Sequence, residues 1–340
     1  MTSSRKHITI KEVADQAGVS IQTVSRVING RPDVSAETRQ RVQQIVDELG
    51  FRPYALARGL ASRRNRTLGL FATDLSDYFF AEATVGANAE ALEHGYFFIL
   101  GSTKLRREEE PKYLQLLTER HVDGVLFVRA GSEDDREHLF HLNQAGIPLV
   151  TTGFQQTAIE FTLVDAKNLD GAFTAVKYLL DLGHTQIAMI TGPRGVKSTH
   201  DREEGYCHAL AAAGVPLDPA LIGYGDWTHA SGYRAMQQII ANGQLFTALF
   251  AHNDRMAIGA MSALHSLGLR VSQDVSVVGF DDIPEAEFSD PPLTTVRQPL
   301  EEIGRTAARL LIQRVENPQL GPVQVLLDTE LVLRSSCARR

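Results

Sequence analysis

Residues 8–50 read ITIKEVADQAGVSIQTVSRVINGRPDVSAETRQRVQQIVDELG, and this stretch decides the fold of the head. Thr9-Ile10-Lys11-Glu12 is a capping box, in which the Thr hydroxyl and the Glu carboxylate satisfy opposite ends of one first helical turn. Ile10, Val13, Ala14 and Ala17 follow at helical spacing and make one apolar face. Gly18 stops that helix, and Val19-Ser20 supplies an apolar turn residue and the N-cap of the next. The second helix is predicted from Ile21 to Asn29, burying Val24, Val27 and Ile28 and turning Ile21, Gln22, Ser25 and Arg26 outward. Ser35 caps a third helix with Val42, Ile45, Val46 and Leu49 as its inner stripe, ended by Gly50. Two short helices across a tight glycine turn, backed by a third, make a helix-turn-helix.

The charge distribution sets this head apart from the rest. Residues 1–66 hold twelve Lys/Arg against six Asp/Glu, an excess of six positive charges in a chain of net charge −7. The remaining residues therefore carry an excess of thirteen negative charges. A basic head on an acidic body suits a head that meets a polyanion, although a solvated charged surface has the same composition. A length of 340 residues exceeds what one core organises, so at least two domains are expected. Hydrophobic residues at 43% and charged residues at 22% are ordinary globular values, which argue against wholesale disorder. No apolar run approaches the roughly 18 residues of a membrane span, and no apolar segment follows the charged start as a secretory signal would require. Cys207 and Cys337 make no disulfide framework, and the histidines lack HxxxH or HExxH spacing, so no metal and no cofactor is expected. The expected compartment is the cytoplasm.

The segments ITIKEVADQAGVSIQTVSRVING and VSAETRQRVQQIVDELGFRP resemble the DNA-binding head of the LacI/GalR family of transcriptional regulators, and the resemblance continues over nearly the whole chain. It implies base-reading positions at Ile21, Gln22 and Arg26. Their chemistry suits this: Gln pairs with an adenine edge, Arg takes guanine bidentately, and Ile touches a thymine methyl. Ile21 replaces the tyrosine of lactose-type members, so their operator sequence does not carry over. A phosphate contact is the plainer role open to Arg26. Thr9, Ser20, Thr23, Ser25 and Asn29 complete the expected DNA contacts of the helix-turn-helix. The resemblance also makes residues 52–66 a hinge helix and linker, with Tyr54, Ala57 and Leu60 against DNA and Leu60 as the wedge entering the minor groove. That helix is too short to be stable alone, and Gly59 weakens it. A leucine packed under a loop is the alternative for Leu60.

From Thr67 onward, β-branched and aromatic runs alternate with helical stretches. Strands are predicted at Thr67–Thr73, Tyr96–Leu100, Gly124–Val128 and Leu149–Thr152 and, after a crossing at Leu163–Asp165, at Ile187–Thr191, Ala248–Ala251 and Val275–Gly279. This is the pattern of parallel sheets wound on both faces, long enough for two. The resemblance implies an α/β two-lobed periplasmic-binding-protein-like body over 67–340, behind an all-α head over 1–51. The expected lobes are 67–165 with 297–322, and 166–296 with 323–340, crossing near Asp165, near Arg297 and near Gly321-Pro322. Open parallel sheets bind ligands beyond the carboxyl ends of their strands, so the cleft between the lobes is the expected site.

Matching the family's ligand contacts residue by residue gives Asp77, Phe79, Arg202, Trp227, Asn253, Asp281 and Gln298. The loop at Asp77-Tyr78 departs from the family's usual Asn-Pro. Each residue has a plainer role: Asn253 and Asp281 as helix caps, Arg202 as an exposed partner of Asp201, Glu203 or Glu204, Trp227 as core filling. Jointly, an Arg, an Asn, an Asp and a Trp form a set suited to a hydroxylated ring, the polar groups bonding hydroxyls in pairs and the indole covering an apolar face.

Competing classes are weaker. Residues 192–199, GPRGVKST, approach a phosphate loop, but Val196 stands where glycine is required before the lysine. No GxGxxG follows a predicted strand, and GxSxG is absent. A sugar-binding transport-type protein would share the body without needing the basic head, and a sugar-acting enzyme is the other alternative. The resulting expectation is a sequence-specific DNA-binding regulator, a repressor controlled allosterically by a small sugar or glycoside. Its partners are a near-palindromic double-stranded DNA operator, the saccharide effector and a second copy of the chain, with no membrane. The terminal Ser335-Ser336-Cys337-Ala338-Arg339-Arg340 has no apolar heptads for tetramerisation, so the expected assembly is a homodimer.

Overall fold

The computed structural model describes residues 8–28, 30–51, 65–72, 74–102, 112, 115, 122–128, 136–153 and 161–340. Two compact units divide between Asn65 and Arg66.

In the first unit, Glu12 N donates to Thr9 Oγ1 at 3.3 Å and Thr9 N to Glu12 Oε2 at 2.7 Å, closing the capping box of α1 (Ile10–Ala17). Gly18 ends α1 with a left-handed φ of 65°, a conformation that costs glycine nothing sterically. Ser20 accepts from Thr23 N at 3.1 Å at the start of α2 (Ile21–Ile28), and Ser35 accepts from Thr38 N at 3.3 Å before α3 (Ala36–Leu49). The three helices close over Val13, Ala14, Ala17, Val24, Val27, Val42, Ile45 and Phe51.

The second unit holds two six-stranded sheets, numbered in chain order. The first contains β1 (Thr67–Ala72), β2 (Phe97–Ser102), β3 (Gly124–Val128), β4 (Leu149–Thr152), β5 (Thr162–Ala166) and β11 (Gln324–Leu327). Its spatial order is β11-β5-β4-β3-β1-β2, parallel throughout. The second contains β6 (Ile187–Thr191), β7 (Ile222–Tyr224), β8 (Ala248–Ala251), β9 (Ser276–Asp281), β10 (Thr294–Arg297) and β12 (Glu330–Val332), ordered β12-β10-β9-β8-β6-β7. Its edge strand β12 runs antiparallel to β10, so the expected parallel sheet carries one antiparallel edge. Every residue of β3, β5, β6 and β8 is buried. That is the mark of strands covered on both faces, and it explains the apolar runs of β3, β6 and β8.

Helices cover the sheets: α4 (Tyr78–Glu93), α5 (Arg136–Gln144), α6 (Asn168–Asp181), α7 (Lys197–Ala212), α8 (His229–Ala241), α9 (Asp254–Ser266), α10 (Pro284–Phe288) and α11 (Leu300–Glu316). Although α11 follows a strand of the second sheet, it packs on the first, through Ile303, Ala307, Leu311 and Val315. It meets α4 where both helices carry glycine. A Cβ on Gly86 would stand 2.0 Å from Glu301 O, and one on Gly304 would stand 1.9 Å from Ala83 O. Gly304→Ala must therefore separate two backbones. Denaturant titration should show a loss of about 1–3 kcal/mol, and an unchanged midpoint would deny the close approach.

The chain passes between the sheets at Lys167, at Gln298-Pro299 and at Asp328-Thr329. The third crossing corrects the expectation of Gly321-Pro322 and the lobe boundary at 323. Gly321-Pro322 follows the turn at Pro318-Gln319 and leads into one more strand of the first sheet. There Val323 N donates to Thr162 Oγ1 at 3.3 Å and Val323 O accepts from Leu163 N at 2.9 Å. Lys167 Nζ then donates to Asp328 Oδ1 at 2.6 Å, tying the first crossing to the third.

Candidate functional site

On the head, Ile21, Gln22 and Arg26 lie on one exposed face of α2, with Ile21 46% exposed although it is a large apolar residue. Thr9 and Ser20 are exposed at helix caps, and Thr23 and Ser25 are half-buried. Arg26 has one ionic partner among the described residues, Asp33 at 3.4 Å, with both side chains 55% exposed. A pair so exposed holds its members weakly, which leaves the guanidinium able to turn to another anion or a base edge. Asn29, Tyr54, Ala57 and Leu60 lie outside the described residues.

In the body, four of the matched residues meet around one buried cation. Arg202, on α7, is 4% exposed and has its guanidinium 3.7 Å from the centroid of the Phe280 ring and 5.7 Å from that of Trp227. Its Nε donates to Asn168 Oδ1 at 2.9 Å and one Nη donates to the carbonyl of His252. The same Nη lies 3.6 Å from Asp281 Oδ1. The plainer pairing of Arg202 with Asp201, Glu203 or Glu204 is thus replaced by an interior one. Burial pulls the Arg202 pKa below its ordinary value, with Asp281 the strongest opposing influence.

Asp281 ends β9 with a φ of 115°, strained for a residue with a Cβ. It caps no helix, since α10 begins after Ile283. Burial raises its carboxyl to about 6, against the pull of Arg202. Gln298, at the second crossing, donates Nε2 to Asp281 Oδ1 at 2.7 Å, while its buried Oε1 finds no donor among the described residues. Asn253 does cap a helix: Oδ1 accepts from Met256 N at 2.9 Å at the start of α9, and Nδ2 donates to Trp227 O at 3.1 Å. Trp227 holds a left-handed φ of 70° and lays its ring on Gly192, where an added Cβ would come within 2.2 Å of it. Half of its role is the core packing that a lone tryptophan usually has.

Asp77 and Phe79 come from the other lobe. Asp77 caps α4, accepting from Phe79 N at 3.0 Å, and pairs with Arg255 on α9. Phe79 stacks edge-on against Phe80 and packs on the first lobe's core, so it does not join the Arg202 cluster. Asp281 and Gln298 line a cavity of about 450 Å³ with Tyr78, Glu82 and Leu300, a volume within the range of small-ligand sites. Arg202, Asn253 and Trp227 do not line it, and Asp281 is where cavity and cluster meet.

Several residues of the site escaped the sequence reading. Asn168, at the first crossing, orients Arg202. His252 is fully buried, and burial holds its pKa far down, so its ring is neutral; Nδ1 accepts from Gly192 N at 3.3 Å. Lys197 binds Asp201 and lies 3.5 Å from Asp165. Burial works against its charge, but the two carboxylates raise its pKa above the ordinary value. Asp254, fully buried, accepts from Ile283 N at 2.9 Å and from the Thr295 hydroxyl, fixing the loop beyond β9. Positions next to Asn253 in one motif were the available signal for His252 and Asp254, while Asn168 and Lys197 gave none.

A basic helix-turn-helix joined to two parallel-sheet lobes with a polar, aromatic cleft defines a DNA-binding regulator that senses a small molecule. Residues 9–54 match the bacterial regulatory proteins of the lacI family, and residues 176–337 match a periplasmic binding protein-like domain. The HTH-type transcriptional repressor CytR of Escherichia coli (strain K12) is 37% identical over 96% of both chains. The HTH-type transcriptional regulator CelR of Thermobifida fusca is 38% identical over 98% of this chain and 99% of its own. Among solved structures, a Lac repressor dimer bound to operator and the anti-inducer ONPF superposes with a TM-score of 0.88 at 29% identity, covering 98% of this chain and all of that one. A CelR–cellobiose complex superposes with a TM-score of 0.76 at 36% identity, covering 97% and 99%. The chain belongs to the LacI family and is a DNA-binding transcriptional regulator. Among the described residues no helix is long and apolar enough to cross a membrane.

Proposed function

We propose that the protein is a homodimeric repressor that binds a near-palindromic operator, and that a small saccharide in the interlobe cleft sets its operator affinity. Residues 1–51 act as the reading head, residues 52–66 as a hinge that pairs in the dimer on DNA, and residues 67–340 as the sensing and dimerising body. Ile21, Gln22 and Arg26 read bases, the other head residues position the backbone, and Leu60 wedges the minor groove. The relatives carry the regulatory part of this reading. The group beside Trp227, in which Asp281 pairs with Arg202 and accepts from Gln298, carries the ligand part. The Asp281 carboxylate and the Gln298 carbonyl accept from sugar hydroxyls, and the indole covers a ring face. The site binds its ligand without turning it over, and the protein works in the cytoplasm, where its operator lies.

The only tryptophan of the chain is Trp227, so ligand binding is read from its fluorescence. A panel of neutral saccharides including cellobiose and ribose, titrated into the full chain, should contain a sugar that shifts the emission and alters binding to a duplex selected from random DNA. Release of a product from that sugar would return the enzyme reading. A panel that leaves both signals unmoved would reject a saccharide effector.

The raised Asp281 pKa gives this binding a pH dependence. Accepting hydroxyl protons favours the ionised carboxylate, so binding requires proton release below the free-site value of about 6. Affinity should be flat above pH 7 and fall toward tenfold per pH unit below about 6. A pH-independent affinity between 5 and 7 would show that Asp281 does not accept from the ligand.

A further inference from the structure

We propose that Asp77 and Arg255 form a latch across the cleft whose making and breaking sets the balance between lobe arrangements, and so the affinity for operator. Arg255 Nη1 donates to Asp77 Oδ2 at 2.8 Å, joining residues 178 positions apart in the chain. Asp77 stands at the N-cap of α4 in the first lobe, and Arg255 in the first turn of α9 in the second. Among the described residues a second ion pair between the lobes, Lys197–Asp165, sits beside the first crossing. There the covalent chain already restrains the lobes. Asp77–Arg255 lies far in sequence from all three crossings, so its lobes are held there by side chains.

Each partner is anchored in its own lobe. Asp77 Oδ1 accepts from Phe79 N while Oδ2 takes Arg255, so one carboxylate caps its helix and grips the opposite lobe. Asn253 and Asp254, immediately before Arg255, are fixed to Met256, Trp227, Ile283 and Thr295. The next residue after Asp77 strengthens the joint, because Tyr78 packs against the apolar cores of both lobes. Both side chains of the pair are largely covered, with exposures of 24% and 30%, so water screens it less than an ordinary surface pair. The latch lies one residue from the ligand site, because Tyr78 lines the cavity with Asp281, and Asp77 and Arg255 exert opposite influences on the Asp281 carboxyl. A ligand entering against Asp281 and Tyr78 therefore acts beside the contact that holds the lobes together, and differential contact in two states is what coupling requires.

The test is a double-mutant cycle in the full-length protein with Asp77→Asn, Arg255→Gln and both together. Asparagine retains the helix cap, so Asp77→Asn removes the charge and spares α4. Affinity is measured for the tightest duplex returned by selection from random DNA, and backbone hydrogen exchange is followed in Phe79–Glu82. Each single change should shift operator affinity in the same direction by about three- to tenfold, and the double variant should go no further than the larger single one. Arg255→Gln should also speed exchange in the first turn of α4, on the lobe that carries no substitution. Additive effects on operator affinity, or exchange at Phe79–Glu82 untouched by Arg255→Gln, would overturn the latch. A purely local packing role moves neither the coupling nor the exchange of the far lobe.

Discussion

Arg202→Ala is expected to be the most damaging single substitution in the body, costing about 3–5 kcal/mol of stability, as removal of one member of a buried ion pair does. Asn168 Oδ1 and the His252 carbonyl lose their donor, Asp281 loses its cation, and the face of Phe280 is uncovered. Protonation of Asp281 limits the loss, since its pKa already stands near 6. Urea titration should therefore show a lower midpoint, with a smaller deficit at pH 5 than at pH 8. Arg202→Lys should recover only part of it, because an ammonium cannot stack on Phe280 while forking to two acceptors. A midpoint within about 1 kcal/mol of the parent would mean that the cluster is not the keystone of the second lobe.

Arg26→Ala is expected to lower affinity for the preferred operator by about 1–3 kcal/mol, the worth of a bidentate contact to guanine, and to relax the preference at one base position. The loss should be small on random duplex DNA. Binding to matched and mismatched duplexes over a range of salt separates the two roles open to this residue. A uniform weakening across sequences, with the salt slope reduced by about one, would assign Arg26 to a phosphate.

Much of the head was legible because its signals are local. A capping box, two serine caps and two glycine stops act within a few residues, and helices followed where they stood. The buried strands were legible for a related reason: β3, β4, β6 and β8 are covered on both faces and read as apolar or β-branched runs. The edge and crossing strands were not. In β11 exposed and half-buried residues alternate, and β7 and β12 are three residues long with little buried. Such strands form because a neighbouring strand offers hydrogen bonds, which no local pattern announces. The segment at Gly321-Pro322 was misread as a crossing for the same reason.

The site divides similarly. Asn253 and Asp281 stand at strand ends within short motifs, and the structure brings them beside Trp227 and Arg202. Phe79 goes to the core of its own lobe, since an aromatic one residue into α4 finds more apolar company there than in the cleft. Asn168, Lys197 and Arg255 became visible only in three dimensions, because each meets a residue from a distant segment.

Control of operator affinity from the Asp281 cleft is tested most directly by calorimetry on the full chain and on Asp281→Ala. The titrant is the saccharide that most shifts Trp227 emission, added with and without the selected duplex. The parent should bind the sugar, and the sugar should change its duplex affinity by about 5- to 150-fold, the range of ordinary allosteric coupling. Asp281→Ala should fold, hold the duplex as tightly as the parent and give no heat with the sugar. Parental sugar affinity in Asp281→Ala, with operator binding still responding, would contradict a regulatory site at Asp281.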